Sequence, residues 1–221
     1  MKKTAIILGA TGLTGSILLE KLIQEDRYKS IKLFSRRKID GLPSKVNQYV
    51  GSLFELENFK AEFTGDELYC CIGTTNKKTP DKALYTAIDY GIPVAAAKLS
   101  KENGISSFLV VSALGASAKS KIFYNKTKGE MERDVLLEKI DKTYILQPSI
   151  IKGNRKEQRM GEKIGLILFK IFQPLFLGKL KKYRITEAEH IAQAMVNLAN
   201  STSSKQIISS EKIKKIANKL N

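Results

Sequence analysis

The chain has no tryptophan, one histidine, two cysteines and five prolines among its 221 residues, and each scarcity removes a class of protein. The cysteines, Cys70 and Cys71, are neighbours. Adjacent cysteines rarely bond each other, and a chain this long builds a core without staples. They read as small hydrophobes in an apolar strand rather than a redox pair. His190 stands without a second histidine or a nearby cysteine, so no metal site is expected. No run of about 18 apolar residues occurs, and the nearest, 164–177, carries Lys170 and Pro174. The opening Met1-Lys2-Lys3 imitates a secretory leader, but a leader needs about 7–15 apolar residues and Gly9 interrupts the run at 5–8. These absences predict a soluble protein of a reducing compartment, the cytoplasm, with no membrane span.

Acid is scarce too: 22 Asp and Glu against 38 Lys and Arg leave a net charge of +16. The basic residues are scattered, and arginine occurs only at 27, 36, 37, 133, 155, 159 and 184. Helices that read bases need an Arg, Asn or Gln face on a docking motif. None is found here, so the surplus reads as a solvated lysine surface and no specific nucleic-acid partner is expected.

What is present is ordinary for a globular protein, 43% apolar and 27% charged. At about 100–200 residues per domain, the length predicts one domain spanning 1–221. Short apolar runs at 5–8, 31–35, 48–50, 67–72, 107–112 and 143–147 read as strands. Segments near 13–25, 85–103 and 125–139 repeat their apolar residues at three and four and read as helices. That alternation predicts an α/β protein with a doubly wound parallel sheet covered on both faces. Beyond Ile150 the texture changes, and 150–183 is expected to be a segment covering the cleft. Within it, 161–180 is apolar with interleaved lysines, which also suits a membrane surface or a partner interface. Thr186 and Glu189 have capping-box spacing for a helix running to about Ala199. A short strand at 206–208 and an amphipathic helix follow.

The stretch Gly9-Ala10-Thr11-Gly12-Leu13-Thr14-Gly15 joins the first strand to the first helix with glycines three apart. Such glycines allow a tight turn and a close backbone approach, and the helix start supplies free N–H groups and a positive dipole for a pyrophosphate. Where an NAD-specific fold places an acid for the ribose hydroxyl, this chain has Ser35-Arg36-Arg37. Guanidinium groups pair with phosphate, so NADP(H) is expected over NAD(H). Tyr124 and Lys128 are four apart, one helical turn, behind Ser112 at the end of a strand. An ammonium beside a phenol favours phenolate, which suits Tyr124 to acid–base work, with Ser112 orienting a substrate carbonyl.

These motifs, with CCIGTT at 70–75, VVSALGAS at 110–117, YNKTKGEME at 124–132 and LQPSIIKGNR at 146–155, resemble the atypical branch of the short-chain dehydrogenase/reductases, with NmrA-like and Tat-interacting-protein-like relatives. The resemblance spans most of the chain. It implies a Rossmann sheet with a short C-terminal capping region, NADPH as ligand, and hydride transfer to a small carbonyl compound with Tyr124 as proton donor. It further implies that Gly73 and Thr74 lie along the cofactor, that Lys128 holds the nicotinamide ribose, and that Pro148 and Ser149 border the nicotinamide. Helices on the sheet faces often pair in that superfamily, so a homodimer is compatible. The chain departs from better-known reductases where Asp89 stands in place of a relay asparagine, and at Gly51-Ser52-Leu53, where relatives carry an Asp near the adenine. Two other functions fit the motifs: a cofactor-sensing regulator with little catalysis, and an epimerase of nucleotide-linked sugars, for which the short C-terminal region leaves little room.

Overall fold

The computed structural model describes residues 2–153, 183–201 and 206–219. In chain order its strands are β1 (Lys3–Leu8), β2 (Tyr28–Ser35), β3 (Val46–Val50), β4 (Glu67–Cys70), β5 (Ser107–Val111), β6 (Lys142–Gln147), β7 (Ile151–Lys152), β8 (Thr186–Glu187) and β9 (Ile207–Ser209). The helices are α1 (Leu13–Gln24), α2 (Lys82–Thr86), α3 (Ile92–Glu102), α4 (Phe123–Leu137), α5 (Ala188–Ala199) and α6 (Ser210–Ala217). Seven strands form one parallel sheet in the order β3-β2-β1-β4-β5-β6-β9, and β7 pairs with β8 apart from it.

The apolar strands explain the layering. Side chains alternate between faces along a strand, so a strand apolar at every position needs a cover on both sides. In β1, Ala5 and Ile7 join the core under α1, α5 and α6, while Ile6 and Leu8 join the core under α3 and α4. Tyr69, Leu109 and Leu146 repeat the first choice, and Leu68, Phe108 and Ile145 the second. Each large apolar side chain buried this way contributes roughly 1.5–3 kcal/mol. The chain is therefore the expected doubly wound α/β Rossmann sheet. The strand order reverses between β1 and β4, where such sheets open a crevice at their C-terminal ends.

Three expectations are corrected. The helix expected over 85–103 begins at Lys82, capped by the Asp81 side chain, and is broken by a π turn over Ala87–Gly91 before α3. The strand expected over 67–72 ends at Cys70. Thr186 and Glu189 form no capping box: Thr186 is extended in β8, its hydroxyl 2.9 Å from Ser210 Oγ, and Glu189 reaches Lys21 at 2.6 Å. The N-cap of α5 is Glu187, one residue beyond Thr186, and it makes no side-chain cap. Most of the expected cleft cover, 154–182, lies outside the described residues, and the apolar stretch 161–180 lies wholly within that part.

Candidate active site

The glycine loop sits at the strand-order reversal. Gly9 has φ +85°, a conformation that strains other residues, and a Cβ there would lie 2.8 Å from the Cys71 oxygen just beyond β4. A Cβ on Gly15 would lie 2.1 Å from the Gly9 oxygen, so α1 packs against the turn as only glycine allows. Gly12 is the N-cap, exposed with Thr11; no side chain caps α1 and no acid occupies its first turn. The N–H groups of Leu13, Thr14 and Gly15 have no acceptor within the helix. Thr14 is buried and Leu13 packs where a Gly153 Cβ would be, 2.7 Å away, so the backbone is what this end offers. An open, acid-free helix start suits a pyrophosphate.

At the end of β2, Ser35 is buried and its hydroxyl donates to the Arg37 oxygen at 2.7 Å. Arg36 and Arg37 are exposed, and neither pairs with a carboxylate among the described residues. Beside them, the Ser52 hydroxyl accepts from the Phe54 amide at 3.3 Å, which commits it to its own turn.

Tyr124 and Lys128 share a face of α4 as their spacing requires. Lys128 is 3% exposed, and its Nζ lies 2.8 Å from Oδ1 of Asp89, 1% exposed. Asp89 arrives there through the π turn. Pro93 has no N–H for the carbonyl four residues back and its ring crowds that group, so the helix widens and Ile92 N–H bonds to the Ala87 oxygen instead. Asp89 Oδ2 accepts from the Thr74 amide at 2.7 Å, which ties the chain after β4 to α4. A Cβ on Gly73 would lie 3.5 Å from Asp89 Oδ1 and 3.8 Å from Lys128 Nζ, so Gly73 stands directly over the ion pair.

The expected drift of Tyr124 toward phenolate is corrected. Burial pushes the phenol above its usual range, and Asp89 adds to that push while Lys128 opposes it. Lys128 draws the phenol down more than Asp89 pushes it up, but burial outweighs both. The Tyr85 ring stands edge-on to Tyr124 at 6.4 Å, and its buried hydroxyl has no hydrogen-bond partner among the described residues. Burial first, then Asp89 and Tyr124, hold that phenol protonated.

Ser112 follows β5 and is 4% exposed. Its hydroxyl donates to Oε1 of Glu132, which also accepts from Gln147 Nε2 at 3.0 Å, with the second contact to Oε2 at 2.9 Å. Burial raises the Glu132 carboxyl above the usual range, opposed by Ser112, Gln147 and Lys128. Pro148 is buried and its oxygen accepts from Leu114 N at 2.8 Å. The Ser149 hydroxyl donates to the Arg184 oxygen and lies 3.1 Å from Thr186 Oγ1, so it is spent on the approach to β8. Cys70 is buried in β4 with its thiol pushed up to about 11 by burial, and Cys71 contacts Met195 Sδ at 3.9 Å; both are free thiols.

The structure thus gathers Tyr124, Lys128, Gly73 and Thr74 around Asp89, and reaches Ser112 only through Glu132. The sequence reading passed over Glu132 and Gln147. A signal was there: Glu132 continues the four-residue spacing of Tyr124 and Lys128. Among the described residues no group of acidic, histidine or cysteine side chains could hold a metal ion, and no helix is long and apolar enough to cross a membrane.

No known protein-family model matches the chain. The mitochondrial protein FMP52 of Debaryomyces hansenii is 32% identical over 205 residues, covering 89% of this chain and 88% of its own. FMP52 of Candida albicans, also named mitochondrial, is 36% identical over 168 residues, 73% of each chain. HTATIP2 of Rattus norvegicus is 31% identical over 171 residues, 76% of this chain and 70% of its own. Among solved structures, UDP-glucose 4-epimerase of Thermotoga maritima with UDP-glucose superposes with a TM-score of 0.70 at 14% identity, covering 97% of this chain and 81% of that one. WbmG of Bordetella bronchiseptica in complex with NAD gives 0.69 at 15% identity, covering 99% and 77%. At such identities the superpositions speak for the fold alone. The FMP52 relatives overturn the cytoplasmic expectation, since their names place them in mitochondria.

Proposed function

Because this chain belongs to the atypical short-chain dehydrogenase/reductase family that includes FMP52 and HTATIP2, we propose that it is an NADPH-dependent oxidoreductase that reduces a small carbonyl-type acceptor. The observation carrying this reading is the buried Lys128–Asp89 pair one turn from a protonated Tyr124. NADPH when bound supplies the hydride. The first-turn amides of Leu13, Thr14 and Gly15, with Gly9, Thr11 and Gly12 in the turn, hold its pyrophosphate. Arg36 and Arg37, with Ser35 beneath, take the 2′-phosphate, since two unpaired guanidinium groups favour an added dianion. Gly73, Thr74, Pro148 and Ser149 border the remainder.

A carbonyl gaining hydride needs a proton on its oxygen. A phenol held above its usual pKa keeps its proton at neutral pH, so Tyr124 is set to give one in the direction of reduction. Asp89 holds the Lys128 ammonium with one carboxylate oxygen and the Thr74 amide with the other, and Lys128 in turn stabilises the phenolate left after transfer. The relatives also favour a mitochondrial location.

Calorimetric titration with NADPH and NADH, followed by turnover of carbonyl compounds by the Tyr124→Phe variant, tests the reading. NADPH should bind in preference to NADH, and Tyr124→Phe should keep that binding while losing turnover. Unchanged turnover sinks the role of Tyr124. Binding without reduction by the unaltered protein would favour the cofactor-sensing alternative.

A further inference from the structure

Glu132 is buried, 6% exposed, and the reduction just described has no use for it. Ser112 has a single hydroxyl proton, and the structure directs it to Glu132 Oε1 rather than toward a substrate. A hydroxyl that has given its proton away can only accept. In this arrangement Ser112 can receive a hydrogen bond from an alcohol but has none to give a carbonyl.

One proton reverses this. Taken from solvent onto Glu132 Oε1, it lets the acid donate to Ser112 Oγ, while the amide of Gln147 continues to donate to the carboxyl oxygens. The Ser112 O–H is then free to point at a carbonyl oxygen. We infer that Glu132 is the positioning residue of this site: its protonation state decides whether Ser112 presents a donor, suited to a carbonyl substrate, or an acceptor, suited to the corresponding alcohol. The inference rests on the proposed oxidoreductase reading and adds a directionality to it.

The surroundings allow the carboxyl to hold either state. From its own helix it meets Lys128 one turn back; from the end of β5 it meets Ser112, and from β6 Gln147, both neutral. Lys128 is already paired with Asp89 across from α3's approach, so one ammonium serves two buried carboxyls. Burial favours the acid, and the donors at Ser112 and Gln147 favour the carboxylate.

The test needs no known substrate. Thermal stability is followed against pH for the full chain, Glu132→Gln, Ser112→Ala and the double variant. A carboxyl raised by folding contributes stability that is fully present below its unfolded pKa and lost as pH climbs through the folded one. The unaltered protein should therefore lose stability relative to Glu132→Gln as pH rises. Removing the Ser112 donor should carry that loss to higher pH in Ser112→Ala, and the double variant should lack it. Parallel curves for the unaltered protein and Glu132→Gln, or an unmoved transition in Ser112→Ala, overturn the inference. A purely packing role would shift all curves equally at every pH. As a second readout, NADPH-driven reduction of 9,10-phenanthrenequinone should fall on the alkaline side for the unaltered protein. It should not fall there in Glu132→Gln, whose amide donates to Ser112 at any pH. If the quinone is not reduced by any form, the oxidoreductase reading fails while the stability curves still decide the place of Glu132.

Discussion

Two clusters of buried acid stand at opposite ends of one sheet and are built differently. At the N-terminal ends of β1, β2 and β4, Glu67 is 1% exposed and is approached from every side. Lys3 Nζ lies at 2.6 Å, Tyr69 donates at 2.8 Å, Tyr28 donates as well, and Arg27 Nη2 stands at 3.9 Å. The two phenols are 2.7 Å apart, and Arg27 lies over the Tyr28 ring at 4.6 Å. Two cations serve one carboxylate. At the C-terminal ends, two carboxyls, Asp89 and Glu132, depend on the single ammonium of Lys128, and the Tyr85 hydroxyl beside them has no partner among the described residues. The first cluster surrounds its carboxylate with two cations and two phenols and clasps three strands, while Nε and Nη1 of the buried Arg27 guanidinium have no hydrogen-bond partner among the described residues. The second sets two carboxyls about one ammonium beneath Gly73, at the C-terminal strand ends where such sheets place their ligands.

If that contrast is right, the largest effect comes from the under-served end. Lys128→Met leaves Asp89 buried without its counter-ion and should cost about 3–5 kcal/mol in denaturant unfolding. Adding Asp89→Leu should recover most of it, because a pair replaced by apolar groups is far less costly than half a pair. At the saturated end, Tyr28→Phe removes one donor from a carboxylate that keeps Tyr69 and Lys3, and should cost about 1.5–3 kcal/mol by the same measurement. A Tyr28→Phe loss exceeding that of Lys128→Met would reverse the comparison. The smallest stability effect belongs to Arg36→Ala, at an exposed position: melting should be unchanged, while calorimetry should find NADPH binding weakened by about tenfold or more and NADH binding untouched.

Much of the fold could be read from local pattern. Apolar runs at every strand position announced a sheet covered on both faces, and glycines three apart after the first of them announced the turn into α1. The spacing of Tyr124 and Lys128 placed them on one face because four residues make one helical turn. Asp89 was harder. Its inward position follows from Pro93 four residues on, a local cause that a helical reading of 85–103 smooths over. Thr186 was misjudged for a different reason: its hydroxyl is claimed by Ser210, 24 residues away in the chain.

The sequence by itself determined the succession of the seven strands of the main sheet, the glycine turn, the acid-free start of α1 and the shared helix face of Tyr124 and Lys128, because each depends on residues close to one another in the chain. Only the tertiary structure decided that Lys128 spends its charge on Asp89, that Ser112 gives its proton to Glu132, and that Tyr124 stays protonated. Those outcomes depend on burial and on which strand ends lie side by side, and neither is set until β4, β5 and β6 are aligned and α4 is laid across them.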